Sequence, residues 1–255
     1  MLLAVDAGNT QTVVGLFDDT ELVDHWRIAT VSERTSDELA LMIQQFLGFH
    51  GFSFDAANIT GVSISSGVPM VTAALRAMTE RYFGFPALVI EPGIRTGMPI
   101  LYDNPKEVGA DRIANAVGAF DLYGGPSIVV DFGTATTIEA VSAKGEYLGG
   151  AIFPGIEISL DALFGRAAGL RRIELVEPNH VIGKSTVESI QSGVIYGFSG
   201  QVDALVDRFR AELGDCTVIA TGGLAELIGP HTRNVQQYEP WLTLFGLRIV
   251  FERNR

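Results

Sequence analysis

Two short polar segments of this chain place a carboxylate, a glycine and hydroxyls in the same order, each just after an apolar run. Asp6 and Gly8 stand in the first segment, and Asp131 and Gly133 stand in the second. A glycine lets the backbone turn tightly, and the N–H groups of a tight turn can bind phosphate oxygens. Because an aspartate repels phosphate, a carboxylate beside such a turn indicates a metal ion that arrives with a nucleotide.

The two segments form an internal repeat. Asp6 aligns with Asp131 and Thr12 with Thr137 at one offset (131 − 6 = 125 and 137 − 12 = 125) in a chain of 255 residues. Taken alone, the first segment is also what an ordinary β-hairpin turn looks like. A second copy near half the chain length favours two similar lobes, each presenting an acidic strand end and a polar turn to a shared cleft.

A third candidate lies at residues 109–112, which open a helix rich in small residues. In one interpretation Asp111 is a base and Arg112 binds a carboxylate or a phosphate. In the other, the same residues are a capped helix with an Asp–Arg pair on its surface. The sequence alone leaves both interpretations open.

Two further segments contain glycines near polar residues. Thr221, Gly222 and Gly223 follow a predicted strand, and such a junction either lets the backbone approach a flat ring or a ribose closely or is an ordinary turn. Residues 183–186 resemble the end of a P-loop, but Pro178 occupies the position of its first glycine. The P-loop is therefore rejected, and a hydroxyl at 185 or 186 is expected to cap the next helix.

The hydrophobic pattern of the first half, a β-meander followed by alternating helix and strand, predicts a mixed sheet with helices packed on it. In the first half, after the opening hairpin, it predicts a strand at Glu21–Ala29, a helix after Thr35, a strand at Ile59–Ser65, a helix at Val71–Tyr82 and a strand at Ala87–Ile90. In the second half the pattern predicts helices at Ile156–Ala168, Val187–Tyr196 and Gln201–Leu213, a strand at Cys216–Ala220 and an amphipathic helix at Leu242–Phe251.

The composition favours a cytoplasmic protein that does not bind nucleic acid. A net charge of −12 opposes binding to an anionic polymer, so backbone amides and cations must hold any phosphate ligand. No apolar run reaches the roughly 18 residues of a membrane span, and Met1 leads directly into a strand, so we expect no signal peptide. The single cysteine, Cys216, excludes internal disulfides and fits a reducing compartment.

With these segments in view, the sequence resembles the type III pantothenate kinases of the acetate kinase, sugar kinase and actin-like superfamily. The resemblance runs over nearly the whole chain and rests on residues 6–10, 104–112, 131–137 and 183–189. Two departures are Glu139, where an aspartate is expected, and Ser185, where an asparagine is common.

The resemblance implies an α/β fold of duplicated ribonuclease-H-like (actin-like ATPase) lobes, each a mixed five-stranded-type sheet flanked by helices. The lobes are expected at residues 1–115 and 116–255. The implied activity is ATP-dependent phosphorylation of pantothenate to 4′-phosphopantothenate, the first step of coenzyme A biosynthesis. The implied partners are pantothenate, ATP and a second copy of the chain, without nucleic acid or membrane. Residues 113–119 and 187–196 are the surfaces expected to be available for a homodimer.

The same resemblance implies a role for each candidate residue. Those expected to bind ATP are Asp6, Ala7, Gly8, Asn9, Thr10, Gln11, Thr12, Val13 and Thr134. Those expected to line the pantothenate site are Tyr102, Gly109, Ala110, Asp111, Arg112 and Thr186, with Asp111 as the base. Thr221, Gly222 and Gly223 are expected near the nucleoside. Asp131 would hold a monovalent cation (K⁺ or NH₄⁺), and Asp6 would orient the Mg²⁺ of ATP through water.

The sequence leaves two alternative functions open. One is a kinase of the same superfamily that acts on another small acid or a sugar. The other is a non-enzymatic regulatory protein on the same scaffold. The presence of Asp6, Asp111, Arg112 and Asp131 favours an enzyme, since a protein without catalysis would be free to lose these carboxylates.

Overall fold

A computed structural model describes residues 1–55, 57–167 and 169–255 of the chain. These residues form two compact units, the first made of Met1–Gly118 with Leu242–Arg255 and the second of Ala119–Trp241. The expected division lies at 115/116, whereas the units divide at 118/119 and the last helix, expected in the second lobe, belongs to the first unit. The helices are α1 (Ser36–Gly48), α2 (Pro69–Phe83), α3 (Ala110–Tyr123), α4 (Ile156–Arg166), α5 (Thr186–Leu213), α6 (Ala225–Ile228) and α7 (Leu242–Arg253).

The first unit contains a five-stranded mixed sheet in the order β3-β2-β1-β4-β5. Its strands are β1 (Leu2–Ala7), β2 (Gln11–Asp18), β3 (Glu21–Ala29), β4 (Gly61–Ser66) and β5 (Leu88–Val89). β1 is antiparallel to β2 and parallel to β4. The four residues Leu2–Val5 are buried, which explains why this strand is apolar without alternation.

Helix α1 shows how local sequence sets an element boundary. The Thr35 side chain accepts a hydrogen bond from the Glu38 N–H, and the Glu38 side chain accepts one from the Thr35 N–H. This capping box satisfies N–H groups that the first turn leaves without a helical partner. Leu39, Ile43 and Leu47 then recur at helical spacing and are buried in the core of the first unit.

Helix α7 packs on β1 and β4 and is buried along most of its length. The side chain of Phe251 fills the space where a Cβ at Gly61 would stand, and Ser63 Oγ donates to the carbonyl of Leu247 at 3.0 Å. The amphipathic pattern predicted a helix here. Its place in the first core depends on contacts with residues more than 180 positions earlier, which no local pattern reports.

The second unit repeats the topology of the first, with the order β10-β9-β6-β7-β8. Its strands are β6 (Ser127–Phe132), β7 (Ala135–Val141), β8 (Tyr147–Pro154), β9 (Thr217–Thr221) and β10 (Gln237–Tyr238). β6 is antiparallel to β7 and parallel to β9, as β1 is to β2 and β4. The predicted fold class and the internal repeat are therefore confirmed.

One continuous helix replaces the two predicted over residues 187–213. α5 runs for 28 residues, and the Ser185 hydroxyl caps it, as predicted, by accepting from the Glu188 N–H. Gly197 and Gly200 do not interrupt it because Phe198, Val202 and Val206 continue the buried face across them. The helix predicted from Ile156 ends at Arg166, and its predicted last residue, Ala168, lies outside the described residues.

No helix in the described part of the chain combines the length and apolar character needed to span a bilayer.

Candidate active site

The first polar turn joins β1 to β2 at the carboxyl end of β1. The Gly8 N–H donates to the Gln11 carbonyl at 3.0 Å, which closes the turn. Asn9, Thr10 and Gln11 are exposed, so this part of the turn is accessible to a ligand. The predicted hairpin is present, and the binding of ATP phosphates to it stays a prediction.

Thr12 does not present its hydroxyl to the ligand side of this turn, contrary to the expectation from the sequence. Its side chain was expected to offer a hydroxyl to phosphate, but the residue is 3% exposed. Its Oγ1 lies 2.8 Å from Oγ1 of Thr30, at the end of β3. Thr30 Oγ1 in turn donates to the Gly8 carbonyl at 2.7 Å. A hydroxyl has one proton to give, so the proton between the two threonines comes from Thr12. Thr12 therefore stabilises the turn through its buried hydrogen bond to Thr30.

Asp6 is partly buried and stands in register with Ser65 on β4. Residues in register on neighbouring strands share a face of the sheet. Ser65 Oγ is buried and has no hydrogen-bond partner. A buried hydroxyl without a partner is rare in folded proteins, and one beside a carboxylate suits a ligand that brings its own polar atoms.

The second turn, between β6 and β7, again follows an aspartate, but here the buried hydroxyl without a partner lies on the antiparallel neighbouring strand. Asp131 is partly buried and stands in register with Thr137 on β7 and Thr221 on β9. Thr137 Oγ1 is buried and has no hydrogen-bond partner. The Thr134 carbonyl accepts a hydrogen bond from the Gly155 N–H at 3.1 Å, which fixes the far side of the turn.

The structure brings Asp131 and the junction after β9 together. Gly222 has φ +92, and a Cβ on it would stand 2.5 Å from Oδ1 of Asp131 and 2.7 Å from the backbone nitrogen of Phe132. The Asp131 carboxylate therefore lies directly against the Gly222 backbone. From the sequence these were two unrelated candidates, and the parallel pairing of β6 with β9 makes them neighbours.

The oxygen atoms around the two aspartates fit hard cations. Carboxylate and hydroxyl oxygens are suitable ligands for Mg²⁺ and K⁺. Among the described residues, no group of three or more His, Cys, Asp or Glu side chains could hold a metal ion by itself. A cation at either aspartate would then need further oxygen ligands, from hydroxyl groups, backbone carbonyls, water or phosphates.

Asp111 and Arg112 lie in the first turn of α3 with very different surroundings. Asp111 is exposed, and its Oδ1 accepts from the Arg112 N–H at 2.8 Å. That carboxylate oxygen occupies the space where a Cβ at Gly109 would stand, so a side chain there would push the exposed Asp111 carboxylate aside. Arg112 is only 7% exposed, which rules out the interpretation as a surface Asp–Arg pair.

The residues before α3 form a capped turn. The Asn104 side chain accepts from the Lys106 N–H at 3.3 Å and donates to Glu107 at 2.7 Å. A short 3₁₀ turn, Pro105–Glu107, leads from there toward Gly109. Tyr102 precedes this turn and is partly buried. Local hydrogen bonds thus fix the segment that carries the predicted pantothenate residues.

Thr186 borders a cavity of about 840 Å³ between α4 and α5 of the second unit. Its walls include the apolar side chains of Leu160, Leu163, Leu170, Ile190, Val194 and Phe198. Its lining also includes the polar residues Lys184, Ser185 and Ser189. The sequence indicated Thr186 but not this cavity, because α4 ends at Arg166 and α5 begins only at Thr186, and their packing is not visible in a local pattern.

The candidate residues divide between the units. Residues 6–13, Tyr102 and Gly109–Arg112 belong to the first unit, whereas Asp131, Thr134, Thr186 and residues 221–223 belong to the second. Sequence reasoning assigned no site role to Thr30, Ser65 or Thr137. Thr137 aligns with Thr12 in the repeat, but in the strand register Thr137 stands opposite Asp131 whereas Thr12 stands opposite Ala7, so the alignment did not place it.

Comparison with known proteins agrees with the resemblance. A family model described as Type III pantothenate kinase matches residues 2–208. A Type III pantothenate kinase of Streptomyces coelicolor is 57% identical over 261 residues, covering all of this chain and 98% of the relative. One from Thermobifida fusca is 52% identical over 259 residues, covering both chains fully.

Two solved structures share the fold at low sequence identity. A conserved putative Baf family transcriptional activator from Campylobacter jejuni has a TM-score of 0.60 at 19% identity, covering 99% of this chain and 98% of that one. The activator of 2-hydroxyisocaproyl-CoA dehydratase from Clostridium difficile, with bound ADPNP, has a TM-score of 0.61 at 11% identity, covering 99% and 96%. At such identities the similarity concerns the fold alone. Because the family model covers most of the chain and the curated relatives align along its full length, the chain belongs to the type III pantothenate kinase family.

Proposed function

We propose that this protein transfers the γ-phosphoryl group of ATP to the hydroxyl of pantothenate, giving 4′-phosphopantothenate and ADP. In this family the reaction is the first step of coenzyme A biosynthesis. The observation that carries the proposal is full-length similarity, at 57% identity, to a protein named for this activity. Asp6, Asp111, Arg112 and Asp131 supply the acidic and basic groups that the reaction needs.

Asp111 is the proposed general base. As the pantothenate oxygen attacks the γ-phosphorus, its proton passes to the Asp111 carboxylate, and the bond to the β–γ bridging oxygen breaks as ADP leaves. The hydrogen bond from the Arg112 N–H to Oδ1 fixes the direction of this carboxylate. The guanidinium of Arg112 is the proposed partner of the pantothenate carboxylate, the one anionic group of that substrate.

The remaining groups position the nucleotide. Residues 8–11, Val13 and Thr134 are proposed to hold its phosphates, with Thr12 stabilising the turn, and residues 221–223 to lie near its nucleoside. Asp6 is proposed to orient the hydrated Mg²⁺ of ATP, and Asp131 to bind K⁺ or NH₄⁺. Bound cations would offset the negative charge of the phosphates, which an acidic chain with net charge −12 otherwise opposes.

A cytoplasmic homodimer is the proposed assembly. Of the two surfaces expected for it, residues 113–119 are buried within a single chain and present no free face. The proposed surface is therefore the side of the second unit near the start of α5. Ile182 is 83% exposed and Val187 is 46% exposed there. Light scattering at micromolar concentration tests this, and a monomeric mass with full activity would contradict it.

ADP release over a panel of acceptors tests the function. The panel holds pantothenate, other small hydroxy acids and several sugars, each with ATP and Mg²⁺ in potassium buffer. We expect pantothenate to give the fastest release by a wide margin. Faster release with another acid or a sugar would favour the other kinase. No release with any acceptor, with ATP binding intact, would favour the regulatory protein.

A further inference from the structure

Thr30, just after β3, makes three hydrogen bonds to the first polar turn. Its N–H donates to the Thr10 carbonyl at 3.0 Å. Its Oγ1 donates to the Gly8 carbonyl at 2.7 Å and accepts from the Thr12 hydroxyl at 2.8 Å. Chains of hydrogen bonds of this kind strengthen one another. Thr30 thus holds both the start and the end of the turn.

Holding these carbonyls also orients the N–H groups of the turn. The peptide bonds after Gly8 and Thr10 are trans. In a planar trans peptide the C=O and N–H bonds point in opposite directions. With both carbonyls directed to Thr30, the N–H groups of Asn9 and Gln11 point away from it.

Orientation of N–H groups decides whether a turn attracts phosphate. A turn whose amide N–H groups converge binds an anion, and a turn whose carbonyls face the anion repels it. We infer that Thr30 is a positioning residue for phosphate binding, which keeps the Gly8 and Thr10 carbonyls away from the nucleotide. This inference rests on the proposed binding of ATP at the turn.

A matched set of variants separates this role from ordinary stabilisation. Thr30→Val keeps the shape and the N–H but removes the hydroxyl, and Thr30→Ser retains it. Thr60→Val is the control, since the Thr60 hydroxyl donates to the Met1 carbonyl at 3.3 Å, at the opposite end of β1. It makes the same chemical change in the same sheet, away from the turn.

Binding of ADP and of adenosine, measured by calorimetry, is the readout. We expect Thr30→Val to weaken ADP binding about tenfold, the loss expected for about 1.4 kcal/mol. Adenosine binding should not change, because it has no phosphates. Thr30→Ser should recover most of the ADP affinity, and Thr60→Val should bind as the wild type does. In kinetics, the KM for ATP should rise more than kcat falls.

Two results would overturn the inference. One is equal ADP affinity in Thr30→Val and Thr60→Val. The other is a parallel loss of ADP and adenosine affinity in Thr30→Val, which would indicate general disruption of the site. Failure of the proposed function looks different, because the wild type itself would then show no ADP binding or no pantothenate-dependent ADP release.

Discussion

Replacement of Gly222 by alanine should destabilise the protein and also displace the Asp131 carboxylate. Gly222 has φ +92, where an L-residue is strained, and its Cα faces the Asp131 carboxylate. Gly124 offers a matched control in the same unit. It has φ +70, but nothing lies within 4 Å of where its Cβ would stand.

The expected difference in the free energy of unfolding between Gly222→Ala and Gly124→Ala follows from these two environments. Alanine at a left-handed φ costs about 1–2 kcal/mol, and both variants carry this cost. At Gly222 the new Cβ would also lie 2.5 Å from Asp131 Oδ1 and 2.7 Å from the Phe132 backbone. Overpacking of this kind typically costs about 1–3 kcal/mol more. The carboxylate is the movable partner, so we expect it to shift.

Urea unfolding and a potassium titration of activity measure the two effects. Gly222→Ala should lose about 1–3 kcal/mol more stability than Gly124→Ala. It should also lose the potassium dependence proposed for Asp131, while Gly124→Ala keeps it. Equal losses of stability together with an unchanged potassium response in Gly222→Ala would refute the reasoning.

Three further changes test other parts of the account. Asp131→Ala should abolish the preference for potassium or ammonium over sodium together with activity, and equal wild-type rates in sodium and potassium would contradict the cation role. Thr136 is fully buried, and its hydroxyl has no hydrogen-bond partner. Thr136→Val should therefore stabilise the protein by about 1 kcal/mol in urea unfolding, since an unpaired buried hydroxyl is unfavourable; a loss of stability would contradict this. Burial and the hydrogen bond to Glu239 raise the pKa of Tyr123 from 10.0 to about 12. Because the pKa of Tyr123 is raised in the folded state, its neutral form contributes fully to the free energy of unfolding below about pH 10. That contribution is lost as the pH rises toward 12. Tyr123→Phe should flatten the fall of stability in that range, and an unchanged fall would exclude this contribution.

Local features of the sequence predicted much of the fold. The strand predicted at Glu21–Ala29 has the same limits in the structure, because turn residues bound its apolar pattern on both sides. The start of α1 was predictable because Thr35 and Glu38 form a capping box within four residues. The repeat of Asp6 at Asp131 predicted the duplicated topology before any strand pairing was known.

Features that depend on distant contacts were not predictable. The chain separates Gly222 from Asp131 by 91 residues (222 − 131 = 91), and only the pairing of β9 with β6 brings them together. Thr30 carries no motif, and its role depends on where β3 ends relative to the turn. The place of α7 in the first unit likewise depends on packing against β1 and β4, which an amphipathic pattern does not specify.

The most direct test of the central claim follows the phosphoryl group itself. The protein is incubated with pantothenate and ATP labelled with ¹⁸O in the γ-phosphate, and the products are analysed by mass spectrometry. We predict 4′-phosphopantothenate that carries the label, with Asp111→Asn forming it about 10²–10⁴ times more slowly while ATP binding is nearly unchanged. Label found only in inorganic phosphate, or wild-type turnover in Asp111→Asn, would contradict the account.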